Sequence, residues 1–178
     1  GLKNLSQLKA LKSLTICSEK ISDDGMKTIA RLNNLTELSI GNMPNISDQG
    51  LAYLKPLKNL ESLDISSTGI TSKGLALIRT FPKLKRLGVR KLNLKGDAFK
   101  LIVNLNVHTL YLDGNHELTF EDLRMLKRNK QLEYLSIGIL PKLNSEHLMQ
   151  LMKILPKAWI ESKKITEDLY FKDVEKFY

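Results

Sequence analysis

The side chains best suited to chemistry are one thiol, Cys17, and three imidazoles, His108, His116 and His147. A cysteine beside a histidine would make a nucleophile, and several such groups within about 2–2.5 Å of an ion would make a metal centre. Their spacing supports neither, and the chain has no HxxxH, CxxC or glycine-rich phosphate loop. No catalytic residue, metal ligand or cofactor site is therefore expected. A second set is suited to binding: Arg86, Arg90, Tyr111, Asp113, Tyr134 and Trp159, mostly of the types that dominate interface energetics. A third feature is cationic. Between Asp64 and Asp97 there is no acid, whereas eight residues are Lys or Arg.

The elements that must position these groups come from an internal repeat. LKSLTI, LTELSI, LESLDI, LKRLGV, VHTLYL and LEYLSI begin at Leu11, Leu35, Leu60, Leu84, Val107 and Leu132. A weaker seventh copy, LPKAWI, is read from Leu155. Each motif predicts a short strand with Leu14, Ile16 and their equivalents inward and the intervening residues outward. Five or six residues later comes an apolar residue, then Ser22, Ser47, Thr71, Lys95, Thr119, Asn144 or Thr166. All but the lysine are helix N-cap types, and acids follow most of them, where the positive end of the helix dipole favours them. Apolar residues then recur at three-residue steps, as in Leu51, Leu54 and Leu57, giving a short helix with one buried stripe.

A unit of strand, turn, helix and turn cannot bury its stripe alone, so the units must stack. The expected fold is a single α/β right-handed solenoid over 1–178, with about seven repeats of 23–25 residues, parallel strands on the concave face and helices on the convex face. Gly25, Gly50 and Gly74 fall in first helical turns, where a missing side chain permits close packing. Residues 166–178 read as a C-terminal capping helix. In the seventh copy Lys157, Trp159 and Glu161 take the first, second and third outward columns, so Trp159 extends the column of Tyr111. The alternative packs Trp159 under the cap against Phe171 or Phe177. Outward Ser62 and Ser66 are expected to tolerate replacement.

Ile46–Ile65 (ISDQGLAYLKPLKNLESLDI) and Ile70–Val89 (ITSKGLALIRTFPKLKRLGV) resemble the leucine-rich-repeat superfamily, closest to its cysteine-containing, F-box-associated type and related bacterial repeats. The cysteine of that type is replaced by Leu8, Leu32, Leu57 and Phe81. The resemblance implies an interaction module, and the outward strand positions, aromatic and charged in the C-terminal half, place its protein partner on the concave strands over Arg86, Arg90, Tyr111, Asp113, Tyr134 and Trp159. A bacterial surface, secreted or effector protein is one setting that it implies, and a ubiquitin-ligase substrate receptor is another.

Composition bounds the rest. The net charge of +9 is spread along the chain, with 13 basic and 7 acidic residues in 1–89 against 15 and 12 in 90–178. Such a balance suits an acidic protein partner, and nucleic acid or another polyanion is the alternative. No apolar run approaches the roughly 20 residues of a membrane span. One cysteine permits no internal disulfide, which suits the cytoplasm or a bacterial protein. A chain starting at Gly1 rather than Met is read as cut from a longer one, leaving a removed secretion signal open.

Overall fold

The computed structural model describes residues 2–163. The expected cap at 166–178, the seventh N-cap position Thr166, Phe171 and Phe177 lie outside the described residues. Seven strands, β1 (Ser13–Thr15), β2 (Glu37–Ser39), β3 (Ser62–Asp64), β4 (Arg86–Gly88), β5 (Thr109–Tyr111), β6 (Tyr134–Ser136) and β7 (Trp159–Glu161), form one parallel sheet in sequence order. Leu14, Leu38, Leu63, Leu87, Leu110, Leu135 and Ile160 stand in one row, and no strand is displaced along its neighbour.

Between strands run helices α1 (Asp23–Ile29), α2 (Asp48–Tyr53), α3 (Ser72–Leu75), α4 (Gly96–Val103), α5 (Phe120–Leu123) and α6 (Ser145–Ile154), with 3-10 turns at Lys3–Gln7, Ile78–Thr80 and Arg124–Arg128. Packed helices need about 8–10 Å each and strands only about 4.8 Å. The helical side must cover the longer arc, so the sheet lines the concave face. The core lies between the layers, where Leu51, Leu63, Leu87, Phe99, Leu110 and Leu135 are buried.

The seventh copy is shifted from its expected register. Ile160 pairs with Leu135 and Trp159 with Tyr134, so Trp159 belongs to the first outward column and Glu161 to the second. Lys157 precedes the strand, and Leu155 is the C-cap of α6 rather than a strand residue. The slip has a physical cause. Where the sixth copy has Leu132 and Ile137, the seventh has Lys157 and Ser162, so two of its three inward positions are polar and Leu155 mimics the motif.

The first three repeats are also tied by carboxylates. Asp23 accepts from the Ser47 backbone N–H (2.8 Å) and hydroxyl (2.6 Å), and Asp48 does the same for Thr71, at the same two distances. Each hydroxyl in turn accepts from its own helix, at Gln49 and Lys73 (both 3.2 Å). These acids complement the helix dipole, as their position implies, and in addition hold the next repeat. A Cβ on Gly50 or Gly74 would overlap the Asp23 or Asp48 carboxylate, which is why the close packing needs glycine there.

The ladder stops where Ser72 replaces the acid and Lys95 the hydroxyl. Lys95 sits at an N-cap without a capping bond, and so does Ser22. Beyond that point each helix caps itself, through boxes formed by Thr119 with Asp122 and Asn144 with His147. At the same seam Asn115, fully buried, accepts from Leu92 and Leu94 (3.1 and 3.0 Å) and donates to Val89 and Leu112 (2.9 and 2.7 Å).

Two stability outcomes follow. Leu63→Ala or Leu87→Ala should each cost about 2–5 kcal/mol by chemical denaturation, because both side chains are buried strand residues in a close-packed core. Ser62→Ala should stay within about 0.5 kcal/mol. Ser66 does not share that tolerance: its buried hydroxyl bonds to Asp64 (2.5 Å) and accepts from the Arg90 N–H (3.0 Å). The second outcome concerns the ladder. Asp48→Ala and Gly74→Ala should each destabilise by about 1–3 kcal/mol. The double variant should lose less than the sum, because removing the carboxylate relieves the closer of two overlaps and leaves that with Ile70 Cγ2 (2.8 Å). Strict additivity would mean that the two groups do not share that space.

Candidate interaction face

Three lanes of side chains cover the outward side of the sheet. The first holds Glu37, Ser62, Arg86, Thr109, Tyr134 and Trp159, and the second Ser39, Asp64, Gly88, Tyr111, Ser136 and Glu161. The third, two residues beyond the strand ends, carries Ser66, Arg90 and Asp113. The absence of stagger brings equivalent positions of adjacent repeats into contact.

Four of the six expected residues form one cluster. Arg90 Nε donates to Asp113 Oδ2 at 3.0 Å while its guanidinium lies 4.0 Å over the Tyr111 ring. The Tyr111 and Tyr134 rings are 5.6 Å apart, tilted by 56°. Ser136 donates to both oxygens of Asp113 at 2.9 Å. Tyr134 donates its hydroxyl to Glu161, and that bond, with partial burial, pushes the phenol pKa up to about 12. Tyr134 is therefore a neutral donor at ordinary pH, held by a carboxylate from the next strand.

Arg86 and Trp159 stand apart from the cluster. Arg86 reaches across Ser62 to Glu37, with Nη2 to Oε1 at 2.6 Å. Trp159 stands beside Tyr134 in register, at the margin of the face, and is 73% exposed.

Between Arg86 and the cluster, Gly88 leaves a hollow of about 330 Å³ lined by Ser62, Leu63, Asp64, Arg86, Arg90 and Tyr111. A Cβ at Gly88 would run into the Asp64 carboxylate, so the glycine keeps the hollow open. Asp64 Oδ1 is taken by the Ser66 N–H (3.0 Å) and hydroxyl (2.5 Å), while Oδ2 has no hydrogen-bond partner among the described residues. Column reading missed Asp64, Gly88, Ser136 and Glu37. The signal was present: a glycine between an aspartate and a tyrosine in one column must make a gap.

The charges are matched on this face. The acid-free stretch between Asp64 and Asp97 is acid-free only along the chain. In space Arg86 meets Glu37, Arg90 meets Asp113, and Lys85 meets Glu61 at 2.8 Å, holding that carboxyl below its usual pKa. The two arginines are thus paired with carboxylates of the same face.

The titratable groups considered for catalysis serve structure or stand alone. His108 lies 3.3 Å from Glu133, His147 caps α6 and stacks on Phe120 at 4.9 Å, and Cys17 is an exposed free thiol. Among the described residues no three His, Cys, Asp or Glu gather where they could hold an ion. No described helix is long and apolar enough to cross a membrane.

No family profile matches the chain. A 66-residue stretch, 36% of the chain, is 41% identical to distal membrane arm assembly component 2 of Drosophila melanogaster, covering 23% of that protein's length. An internalin from Listeria monocytogenes superposes over 89% of the chain and 49% of its own, with a TM-score of 0.63 and 22% identity. A chain of the Rad7 and Elc1 complex in yeast superposes over 83% and 43%, with a TM-score of 0.62 and 19% identity. The chain thus spans less than half the length of either of these two structures. Seven in-register parallel strands, one helical layer and these likenesses make the fold that of a leucine-rich-repeat solenoid.

Proposed function

We propose that this chain is a binding module whose concave face docks a partner protein over the C-terminal strands, centred on the Gly88 hollow. The observation that carries the reading is a side-chain cluster already organised in the free chain. Tyr111 is clamped between Arg90 and Tyr134, and Arg90 is held in turn by Asp113. Such a surface loses little side-chain freedom on binding, and aromatic and arginine anchors beside a pocket are the usual hot spots. The relative from Drosophila is named as an assembly component and the yeast structure is of a complex; both names fit a chain that works by holding other proteins.

The matched charges specify the partner further. Glu37 and Asp113 pair with Arg86 and Arg90, and Asp64 and Glu161 share the same face, so the face itself is not basic despite the chain's net +9. The hollow suits a partner side chain with a flat or apolar stem to lie along Tyr111 and a hydrogen-bond donor long enough to reach Asp64 Oδ2, on the Gly41 side of that carboxylate. An acidic partner is not what this face selects.

The test is affinity capture from source-cell extract, followed by titration of the captured partner. Tyr111→Ala with Tyr134→Ala should weaken the complex by more than about 2 kcal/mol, with the fold intact by circular dichroism. Asp64→Asn should weaken it by a smaller amount. A partner whose affinity is untouched by both changes binds elsewhere, and the reading is then wrong.

A further inference from the structure

The charge missing from the concave face is concentrated on one edge. All helices run the same way in a solenoid, so their N-termini share one edge and their C-termini the other. On the first edge Asp23, Asp48, Asp97, Glu121, Asp122 and Glu146 open helices and offset the local lysines. The opposite edge, from helix ends to strand starts, carries two rows of exposed cations. One is Arg31, Lys55, Arg79, Arg128 and Lys153; the other is Lys12, Lys58, Lys83, Lys85, Lys130 and Lys157. The acids beside them are Glu61 and Glu133, engaged by Lys85 and His108.

The helix-end row is what the negative end of each helix dipole favours. In the second row Lys58 likewise meets a helix end, at the Thr80 carbonyl (3.0 Å), but Lys12, Lys83, Lys85 and Lys157 lead into strands, which carry little net dipole. Among the described residues no carboxylate pairs with Lys12, Lys83, Lys130 or Lys157. Lys12, Lys83, Lys130 and Lys157 lie one, three, four and two residues ahead of their strands, so with the helix-end row they form a broad band along the edge rather than a line.

We infer that this edge docks on an anionic lipid bilayer, a surface distinct from the Gly88 hollow and bordering the strand face at Trp159. Leu8, Met152 and Trp159 are 50%, 47% and 73% exposed and adjoin Lys9, Lys153 and Lys157 at the two ends of the edge. Met149 (48%) is one turn further along α6, and Ile139 alone lies toward the other edge. Lysines flanked by apolar and tryptophan side chains suit the headgroup region of a membrane. Nucleic acid fits less well. It would leave the exposed Leu8 and Met152 in water.

Sedimentation with vesicles tests this. The intact chain should bind phosphatidylcholine vesicles containing one third phosphatidylserine, and not phosphatidylcholine alone. Changing Lys12, Lys83, Lys130 and Lys157 together to Gln should weaken binding at least about tenfold. The same change at Lys20, Lys73, Lys91 and Lys95, on the other edge, should have little effect. Trp159 is the only tryptophan, so its emission should shift to the blue on the anionic vesicles. The inference is overturned by absence of binding to anionic vesicles, by equal loss in the two variants, by an unshifted Trp159 emission, or by tighter binding to duplex nucleic acid at equal phosphate. None of these outcomes bears on the Tyr111 surface, whose partner affinity should be unchanged in the lysine variants.

Discussion

Each repeat of 23–25 residues makes an apolar stripe that it cannot cover by itself, and the structure follows from how the next repeat covers it. Three-residue strands are too short to persist alone; they are held because Leu38, Leu63, Leu87 and Leu110 abut in one row beneath them. A parallel ladder with no offset then forces every other position into a row as well. The outward residues become lanes, the helix starts one edge, and the helix ends the other. A single steric condition, stacking without slip, thereby turns a periodic sequence into surfaces of distinct character.

Within that frame carboxylates have two different uses. Asp23 and Asp48 point sideways into space that glycine leaves vacant, and saturate the start of the following helix. Asp113 faces outward, yet is saturated too, by Arg90 and Ser136. Lateral pairing of this kind explains how a strongly basic chain presents a strand face of balanced charge. Sequence distance separates Arg86 from Glu37 by 49 residues, while the sheet brings them within a hydrogen bond.

Repeat spacing made the fold legible, because inward leucines at a constant interval admit no other architecture. It failed at the seventh copy, where Lys157 and Ser162 occupy inward positions and Leu155 offered a false frame two residues early. For the face, Arg90, Tyr111, Asp113 and Tyr134 could be placed in adjacent columns from spacing alone. What spacing could not supply was rotamer choice: that Arg90 turns onto Tyr111, that Arg86 spans a strand to Glu37, or that Tyr134 gives its hydroxyl to Glu161. Asn115 was similarly hidden. Three other repeats have Met43, Leu92 or Leu140 there and one has Thr68, which also donates to a carbonyl three residues back, and the buried carbonyls and N–H groups around Asn115 reveal why an amide sits there.

The handover at Lys95–Gly96 divides the solenoid into two kinds of building block. Upstream, a helix start is completed by its predecessor, Asp23 serving Ser47 and Asp48 serving Thr71, so neighbouring repeats interlock. Downstream, the Thr119 and Asn144 boxes are complete within their own repeats. Parting two upstream repeats therefore strips a helix start and a carboxylate at once, whereas parting repeats on the side that carries Tyr111 and Tyr134 leaves every helix start whole.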